Sequence, residues 1–180
     1  YVREQLDELR LPSGVSVKIC LEPQGKNTAA AIALAALESD PDDCLWVMPA
    51  DHVLEDAQLK QRCTLAEQLC QQGKLVTFGI KPTTAETGYG YIHRGDALEG
   101  EDAVFAVRAF KEKPGRELAQ QYCDSGEYDW NSGMFCFQAK TVLAELRRFR
   151  PGIVSVCERT FKGRYLDLGF FKNDFISKTN

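Results

Sequence analysis

The sequence lacks the features of a membrane protein and of a nucleic-acid-binding protein. No apolar run among its 180 residues approaches the roughly 20 residues of a membrane-spanning helix, and no signal peptide opens the chain. It carries 22 Lys and Arg against 26 Asp and Glu, a formal net charge of −4, whereas a surface that binds nucleic acid is basic. We therefore expect no membrane and no nucleic acid as partner. A nucleotide needs only a local cluster of polar groups and is compatible with this charge.

Metal-binding patterns are also scarce. The two histidines stand alone and no Cys-x-x-Cys pair occurs among the seven cysteines, so a zinc site is not favoured. Cys63 and Cys70 share one face of a helical stretch, and Cys20, Cys44 and Cys136 lie in strand-like runs. Free cysteine behaves as a small buried hydrophobe. Because disulfides are rare in the cytosol, we predict that all seven cysteines are reduced, mostly buried, and part of a cytoplasmic protein.

The composition that is present suits one globular domain. The chain is 44% hydrophobic and 27% charged, which is enough to build a sizeable core, and it shows no repeat or linker. We predict a single domain over residues 1–180. The chain begins at Tyr1 rather than at a methionine, so we expect an N-terminus that is processed, engineered or cut.

Strand-like and helical stretches alternate along the first half of the chain. They predict strands at residues 15–21, 44–48 and 75–80, separated by helices at 29–38 and 56–72, the second of which is closed by Gly73. Such βαβ units indicate an α/β fold with a mainly parallel sheet, and the continuously apolar character of the last two strands predicts burial on both faces. Right-handed crossovers would then place the loops after these strands on one edge. The second half predicts further strands at 103–110 and 130–138, a helix at 115–124, and a new helix from Pro151.

One short stretch suggests a ligand site at that edge. The strand at residues 45–48 stops at Pro49 and then presents Asp51, followed by His52. Ligands of α/β sheets gather outside the carboxyl ends of the strands, and a carboxylate there suits Mg²⁺, which takes oxygen ligands shared with substrate phosphates. Asp51 could equally be the N-cap of the following helix. The residues of this stretch are compatible with both interpretations.

Two glycine-containing loops carry further candidates. Residues 22–28 form either a turn with a helix cap, which is the simpler interpretation, or a site in which Glu22 accepts from paired N–H donors of a purine edge and Asn27 adds a polar contact. Residues 87–90 form either a plain turn or a loop whose glycines let a ligand approach the backbone.

Two polar motifs near the later strands complete the set. Residues 111–114 are either a solvated charge run or a carboxylate for sugar hydroxyls beside an ammonium for a phosphate. Residues 131–133 are either the entry to a strand or a site in which Asn131 offers an amide to hydroxyl groups.

Taken together, these motifs resemble those of a known family. The segments are E-P-Q-G-K-N-T-A-A-A-I-A-L-A-A-L, V-M-P-A-D-H-V-L-E-D, L-V-T-F-G-I-K-P-T-T-A-E-T-G-Y-G-Y-I, F-K-E-K-P and W-N-S-G-M-F-C-F. In order and spacing they are similar to the mannose-1-phosphate guanylyltransferases over nearly the whole chain. The resemblance implies a Rossmann-like nucleotidyltransferase fold, GTP and mannose 1-phosphate as substrates, GDP-mannose and pyrophosphate as products, and Mg²⁺ as cofactor.

The resemblance also implies roles for individual residues. Asp51 looks like the metal ligand, Glu22 like the guanine reader and Lys113 like the lysine that holds the sugar phosphate, so Asp51 and Lys113 are the expected catalytic residues. In-line attack of a phosphate oxygen on the α-phosphorus asks mainly for positioning and charge neutralisation. The full expected sets are, for the nucleotide, Glu22, Pro23, Gly25, Lys26, Asn27, Thr28 and Asp51 and, for the sugar phosphate, Gly88, Gly90, Glu112, Lys113 and Asn131.

The sequence departs from the family pattern in several places. Lys26 stands where arginine is usual, which replaces a planar fork by a point charge, and Ala30 stands where proline is common. The family's first strand, its G-x-G-T-R-L-W-P-L-S-R triphosphate loop and its later W-x-D-V-G-S-W stretch do not occur. We therefore expect a truncated domain with little or no activity of its own. The alternatives are a non-catalytic sugar-nucleotide-binding remnant and a synthase for another nucleotide sugar, and a homo-oligomer is compatible with either.

Overall fold

The computed structural model describes residues 2–9, 11–20, 27–54, 59–100 and 103–162. Within these ranges helices and strands are mixed along the chain, as expected for an α/β protein. The helices are α1 (Val2–Glu8), α2 (Thr28–Glu38), α3 (Leu59–Gln71), α4 (Arg116–Ser125), α5 (Ala139–Phe149) and α6 (Pro151–Lys162), and the strands are β1 (Cys44–Val47), β2 (Val76–Ile80), β3 (Tyr91–Ala97), β4 (Phe105–Lys111) and β5 (Tyr128–Gln138).

The sheet is organised around β5, its longest strand. Cys136 pairs with Trp46 of β1 and also with Val76 of β2, so β1 and β2 lie on opposite sides of β5. Nearer its start, β5 pairs with β3, and β3 in turn pairs with β4. Since Trp130 is partnered by both Ile80 and Tyr91, β1 and β3 follow one another along the edge of β5 that faces away from β2.

The predicted mainly parallel sheet is wrong for the described strands, because every pairing among them is antiparallel. The physical reason is the insertion of β5, which arrives late in the chain, between β1 and β2. These two strands are both antiparallel to β5 and therefore point the same way. Their carboxyl ends therefore still point toward the same end of the sheet, where β5 begins.

Helices cover both faces of the sheet. On one face, Ala36 of α2 and Leu143 of α5 pack with Phe137 of β5. On the other face, Ala66 of α3 packs with Cys136. Neighbouring residues of β5 point to opposite faces because side chains alternate along a strand. The tightly packed second cluster between α2 and α6, which includes Ala33 and Cys157, extends the first layer.

Glycine or proline marks one end of three helices, and two of these ends, at Gly73 and Pro151, are as the sequence predicts. Gly73 follows α3 with a φ of 77° and donates its N–H to the Cys70 carbonyl at 2.8 Å, which is the left-handed helix ending that glycine favours. Gly126 ends α4 in the same conformation, and Pro151 opens α6. In the described part of the chain, no helix is both long enough and apolar enough to cross a bilayer.

The predicted burial of the strands at residues 45–48 and 75–80 is wrong, although both strands exist. All of β1 is only half-buried, and Met48, Leu75 and Ile80 are exposed. Met48 and Leu75 lie just outside the strands, and β1 has a strand neighbour on one side only among the described residues. The strand predicted at 15–21 is also absent over its described residues 15–20, where Val15 and Val17 are exposed and no partner strand is found.

The prediction that all cysteines are reduced is wrong for two of them. Cys44 of β1 is disulfide-bonded to Cys70 of α3, with their Cα atoms 6.3 Å apart. Both residues belong to the layer between α3 and the sheet, so the fold brings together side chains whose sequence positions carry no pairing signature. Cys136 is free and fully buried beside them, and burial raises the pKa of its thiol to about 11. Cys63 and Cys123 also carry free thiols.

Candidate active site

A β-bulge in β5 gives the candidate site its shape. Thr77 of β2 pairs with Phe135, whereas Gly79, two residues further on, pairs with Asn131, so β5 has extra residues at this point. Gly133 within them has a φ of 73°, which glycine adopts without steric cost. The Met134 N–H donates to the Ser132 hydroxyl at 3.1 Å. Bulges redirect side chains and often lie beside active sites, and this one redirects Asn131.

Asn131 is held at both its backbone and its side chain. Its N–H donates to the Gly90 carbonyl at 2.8 Å, which ties the bulge to the loop before β3. The Thr77 hydroxyl donates to the Asn131 Oδ1 at 3.1 Å. The strand entry and the glycine loop, which the sequence presents as separate motifs, are therefore directly connected.

Gly90 and Glu112 lie in contact. A Cβ on Gly90 would come within 2.6 Å of the Phe110 Cζ and 3.2 Å of the Glu112 Oε2, so no side chain fits without displacing the ring. The Lys113 N–H donates to the Tyr89 carbonyl at 3.2 Å, which fixes the charged motif to the glycine loop. The structure thus brings together Gly90, Glu112, Lys113 and Asn131.

The charged groups of this cluster are open to solvent. The Lys113 Nζ lies 3.7 Å from the Glu112 Oε1, and the two side chains are 64% and 61% exposed. An ion pair between exposed groups contributes only about 0–1 kcal/mol, so a ligand can compete with it. Lys113 also has a φ of 43°, in the left-handed region that non-glycine residues seldom occupy. Its side chain leaves the strand end in a direction that regular extended backbone would not give.

Asp51 lies in an exposed turn after β1 and is not a helix cap. Residues 52–54, which follow it, are not helical, so the N-cap interpretation is wrong. The Cγ of Pro49 lies 3.2 Å from the position that a Cβ on Gly133 would take, which places the turn against the bulge that carries Asn131. Among the described residues the Asp51 carboxylate has no hydrogen bond or ion pair, so it is available to a ligand.

The expected nucleotide-binding residues are less completely placed. Glu22, Pro23, Gly25 and Lys26 lie outside the described residues. Asn27 occupies the N-cap position of α2 with a φ of 68° but makes no side-chain capping hydrogen bond, and Thr28 begins the helix. Among the described residues, no hydrogen bond or ion pair joins Asn27 or Thr28 to Asn131. Gly88, an expected sugar contact, lies in an exposed bend two residues before Gly90.

Sequence reasoning missed two residues of the site. Thr77 lies in a run of the sequence that is otherwise apolar. A single hydroxyl inside such a run is the signal that could have identified it. Tyr89 stands in the glycine motif, where its ring packs edge-to-face on Trp130 with centroids 5.3 Å apart. Its side chain is half exposed and therefore presents an aromatic edge beside Lys113.

The Asp51 carboxylate suits a magnesium ion that is held mainly by the phosphate oxygens of a bound molecule and by water. In the described ranges no three His, Cys, Asp or Glu side chains cluster as a protein-only metal site. Mg²⁺ in nucleotide enzymes usually takes one or two carboxylates and completes its shell with phosphate oxygens and water. The exposed, unpaired carboxylate of Asp51 matches that requirement.

A sheet covered by helices, with polar loops gathered at the carboxyl ends of β1 and β2, defines an α/β ligand-binding protein. The model of the Nucleotidyl transferase family matches residues 1–176. The chain belongs to this family.

More particularly, the chain is similar to a xanthan biosynthesis protein and to mannose-1-phosphate guanylyltransferases. It is 49% identical over 175 residues to the xanthan biosynthesis protein XanB of Xanthomonas campestris pv. campestris (strain B100), covering 95% of this chain and 36% of that protein. It is 47% identical over 176 residues to the mannose-1-phosphate guanylyltransferase ManC of Salmonella typhimurium, covering 93% and 37%. The chain thus spans little more than a third of the length of these relatives.

Two solved structures share the fold. A mannose-6-phosphate isomerase from Helicobacter pylori matches with a TM-score of 0.72 and 43% identity, over 79% of this chain and 53% of that one. A mannose-1-phosphate geranyltransferase from Thermus thermophilus matches with a TM-score of 0.70 and 33% identity, over 84% and 45%. Both similarities are high enough to relate sequence as well as fold.

Proposed function

We propose that the protein is a mannose-1-phosphate guanylyltransferase. In this reaction a phosphate oxygen of mannose 1-phosphate attacks the α-phosphorus of GTP. A bond forms between that oxygen and the α-phosphorus, the bond from the α-phosphorus to the bridging oxygen breaks, and pyrophosphate leaves with the electron pair. The products are GDP-mannose and pyrophosphate, and no protein nucleophile is needed.

The observation that carries the proposal is the convergence of Gly90, Glu112, Lys113 and Asn131. These residues come from three separate motifs, yet they are joined by two backbone hydrogen bonds, from Asn131 to Gly90 and from Lys113 to Tyr89. A carboxylate, an amide and an ammonium at one place supply an acceptor and donors for sugar hydroxyls and a cation for a phosphate. Independent surface turns would not be tied together in this way.

Within this cluster each group has a distinct task. Lys113 neutralises charge on the sugar phosphate, which matters most as charge redistributes in the transition state. Glu112 accepts from sugar hydroxyls, and Asn131 adds a directional amide contact. Gly88 and Gly90 keep the backbone bare so that the sugar can approach it closely.

Asp51 would hold Mg²⁺ together with the nucleotide phosphates. The ion, when bound, would neutralise triphosphate charge and orient the phosphates for in-line attack. The tasks of the protein are to present the carboxylate and to hold the sugar phosphate on the other side of the bulge. The contact between Pro49 and Gly133 supports this placement.

The nucleotide contacts are proposed from the family pattern. Glu22 would accept from the N1–H and the exocyclic amine of guanine, whereas adenine offers an acceptor at N1. Pro23, Gly25, Lys26, Asn27 and Thr28 would surround the nucleotide. The absent capping bond at Asn27 supports a side chain that is reserved for a ligand.

Turnover and product binding test the proposal separately. Pyrophosphate release from GTP and mannose 1-phosphate would be measured with Mg²⁺, using ATP, UTP and glucose 1-phosphate as competing substrates, and GDP-mannose would be titrated calorimetrically. We expect this 180-residue chain to bind GDP-mannose but to release pyrophosphate weakly, because loss of phosphate positioning can remove about 7–11 kcal/mol of barrier lowering. Binding without activity in a longer protein that contains the glycine-rich loop would identify a sugar-nucleotide-binding protein instead. A preference for another nucleotide would identify another synthase.

Base selection can be tested at one residue. Replacing Glu22 by Gln exchanges one acceptor oxygen for a donor, so GTP use should fall about tenfold or more while mannose 1-phosphate use changes little. Glu99→Gln, in an exposed turn, is the matched control. Equal losses for both substrates would contradict the assignment of Glu22 to guanine.

We also propose a cytoplasmic location, where GTP is available. The free thiols of Cys63, Cys123 and Cys136 favour a reducing compartment, whereas the bond between Cys44 and Cys70 opposes one. Counting alkylated thiols by mass spectrometry after rapid acid quenching of cells decides between them. Alkylation of all the cysteines supports the cytoplasmic proposal, and alkylation that spares Cys44 and Cys70 contradicts it.

A further inference from the structure

Thr77 bridges the two ends of the β5 bulge. Its hydroxyl oxygen lies 3.1 Å from the Asn131 Oδ1 and 3.2 Å from the Met134 carbonyl oxygen. Asn131 is paired with Gly79 on one side of the bulge, and Met134 is the last unpaired residue before Phe135, the partner of Thr77, on the other side. A side chain of β2 therefore reaches across to the residue that the proposed function assigns to the sugar phosphate.

In the structure the Asn131 amide turns its oxygen toward the Thr77 hydroxyl. Thr77 has one hydrogen, which is shared between the Asn131 Oδ1 at 3.1 Å and the Met134 carbonyl oxygen at 3.2 Å. With Oδ1 facing Thr77, the Asn131 Nδ2 must lie on the other side of Cγ and point away from β2. The amide then presents its N–H donors, and not its carbonyl, to a ligand.

We propose that Thr77 is a positioning residue that holds the Asn131 amide in this orientation, so that Asn131 serves as a hydrogen-bond donor to an oxygen of the bound sugar phosphate. The proposal rests on the proposed function for the identity of that ligand, but not for the orientation of the amide. It gives Asn131 the complementary task to Glu112, which can only accept. One donor and one acceptor on opposite sides of Gly90 would discriminate the direction of sugar hydroxyls.

The orientation can be measured without any ligand. In the ¹⁵N-labelled chain, NMR relaxation of the Asn131 side-chain NH₂ group reports how firmly the amide is held. Thr77→Val keeps the shape and the strand preference of threonine but lacks the hydroxyl, whereas Thr77→Ser keeps the hydroxyl. We expect a rigid amide in the wild type and in Thr77→Ser, and a markedly lower order parameter in Thr77→Val. An amide equally rigid in Thr77→Val would overturn the proposal.

A titration with mannose 1-phosphate tests the donor role. Because one neutral hydrogen bond is at stake, we expect the Kd to rise about three- to tenfold in Thr77→Val and to recover in Thr77→Ser. In an Asn131→Ala background, Thr77→Val should cause no further loss. A further loss in that background would show that Thr77 acts through Met134 and the bulge backbone, and would overturn the proposal.

Two more outcomes separate this inference from the proposed function. Asn131→Asp keeps the acceptor for Thr77 but replaces the donor by an anion, so it should weaken mannose 1-phosphate binding more than Asn131→Ala does; the reverse order would overturn the donor role. If Thr77→Val loosens the amide but mannose 1-phosphate perturbs no Asn131 signal, the positioning role stands and the assignment of the sugar phosphate to this cluster fails. Thermal unfolding of Thr77→Val and Thr77→Ser verifies that each variant is folded.

Discussion

Asn131 and Asp51 lie on either side of the same bulge, yet the protein holds them differently. Asn131 belongs to what we call the sugar half (Gly90, Glu112, Lys113 and Asn131), which is connected by hydrogen bonds between strands and loops. Asp51 belongs to the phosphate half (Asn27, Thr28 and Asp51), whose described side chains are exposed and make no such bonds.

This difference indicates how each half would bind. Groups that are already ordered cost little entropy when a ligand arrives, so the sugar half can recognise its ligand with the strands described here. Charged groups without protein partners are ordered by the ligand and its cation. The sugar half should therefore determine affinity for the sugar phosphate, and the phosphate half should mainly determine the rate of transfer.

Among the substitutions that test this difference, Asp51→Asn should have the largest effect. Removing one Mg²⁺ ligand withdraws several kcal/mol of charge stabilisation, so turnover of the active enzyme should fall about a thousandfold. Mannose 1-phosphate binding, followed by calorimetry without Mg²⁺, should stay within about twofold of wild type, since its contacts lie in the sugar half. Asp96→Asn, a fully exposed carboxylate on β3, is the control. Loss of sugar-phosphate binding in Asp51→Asn would mean that the two halves are not separate.

Lys113→Ala should have the next largest effect. It removes the cation that we propose for the sugar phosphate, and we expect kcat to fall about a hundredfold, as for loss of one preorganised transition-state contact. The matched control is Lys111→Ala, two residues earlier in the same charged motif. Equal, small effects for both variants would mean that residues 111–114 are a solvated charge run.

Glu112→Ala tests whether the residues of the sugar half have separate tasks in binding and in transfer. In the proposed site its carboxylate pairs with hydroxyl groups and not with the reacting phosphate, so the KM for mannose 1-phosphate should rise about tenfold with little change in kcat. Discrimination against glucose 1-phosphate should weaken as well, because the site no longer rejects a hydroxyl in the wrong direction. A fall in kcat at constant KM would argue that Glu112 contributes to the transfer step.

The smallest expected effect is that of Gly90→Ala. The new Cβ would meet the Phe110 Cζ at 2.6 Å, and since the ring is half exposed it can move aside, at a cost of about 1 kcal/mol in the free energy of unfolding. Gly88→Ala is the matched control, because a Cβ there meets nothing within 4 Å. Denaturant unfolding compares the two, and in a Phe110→Ala background, where the ring is absent, Gly90→Ala should cause no further loss of stability. Equal stability of the two alanine variants would contradict the crowding at Gly90.

The sequence predicted the members of the sugar half but not how they meet. Asn131, Gly90 and Lys113 stand in short polar motifs that chemistry and resemblance single out. Their connection depends on the bulge, which is a consequence of the register between Thr77 and Phe135 and has no local sequence signature beyond Gly133.

Long-range pairing also explains the predictions that failed. An apolar run such as that of β2 is compatible with a parallel or an antiparallel neighbour, so nothing in it reveals that β5 would be inserted. The bond between Cys44 and Cys70 likewise depends on how α3 packs on the sheet. In contrast, the left-handed turn at Gly73 and the helix start at Pro151 are set by neighbouring residues, and these predictions are confirmed.

The central position of β5 also determines the order in which the sheet can assemble. β1 and β2 have no described strand neighbour except β5, and Cys44 at the start of β1 is paired with Gln138 at the end of β5. During synthesis these earlier strands therefore leave the ribosome long before their common partner exists. Pairings between such distant segments form slowly because the intervening chain must first be closed into a loop. Release of Gln138 from the ribosomal exit tunnel should thus be the event that commits the nascent chain to its native sheet.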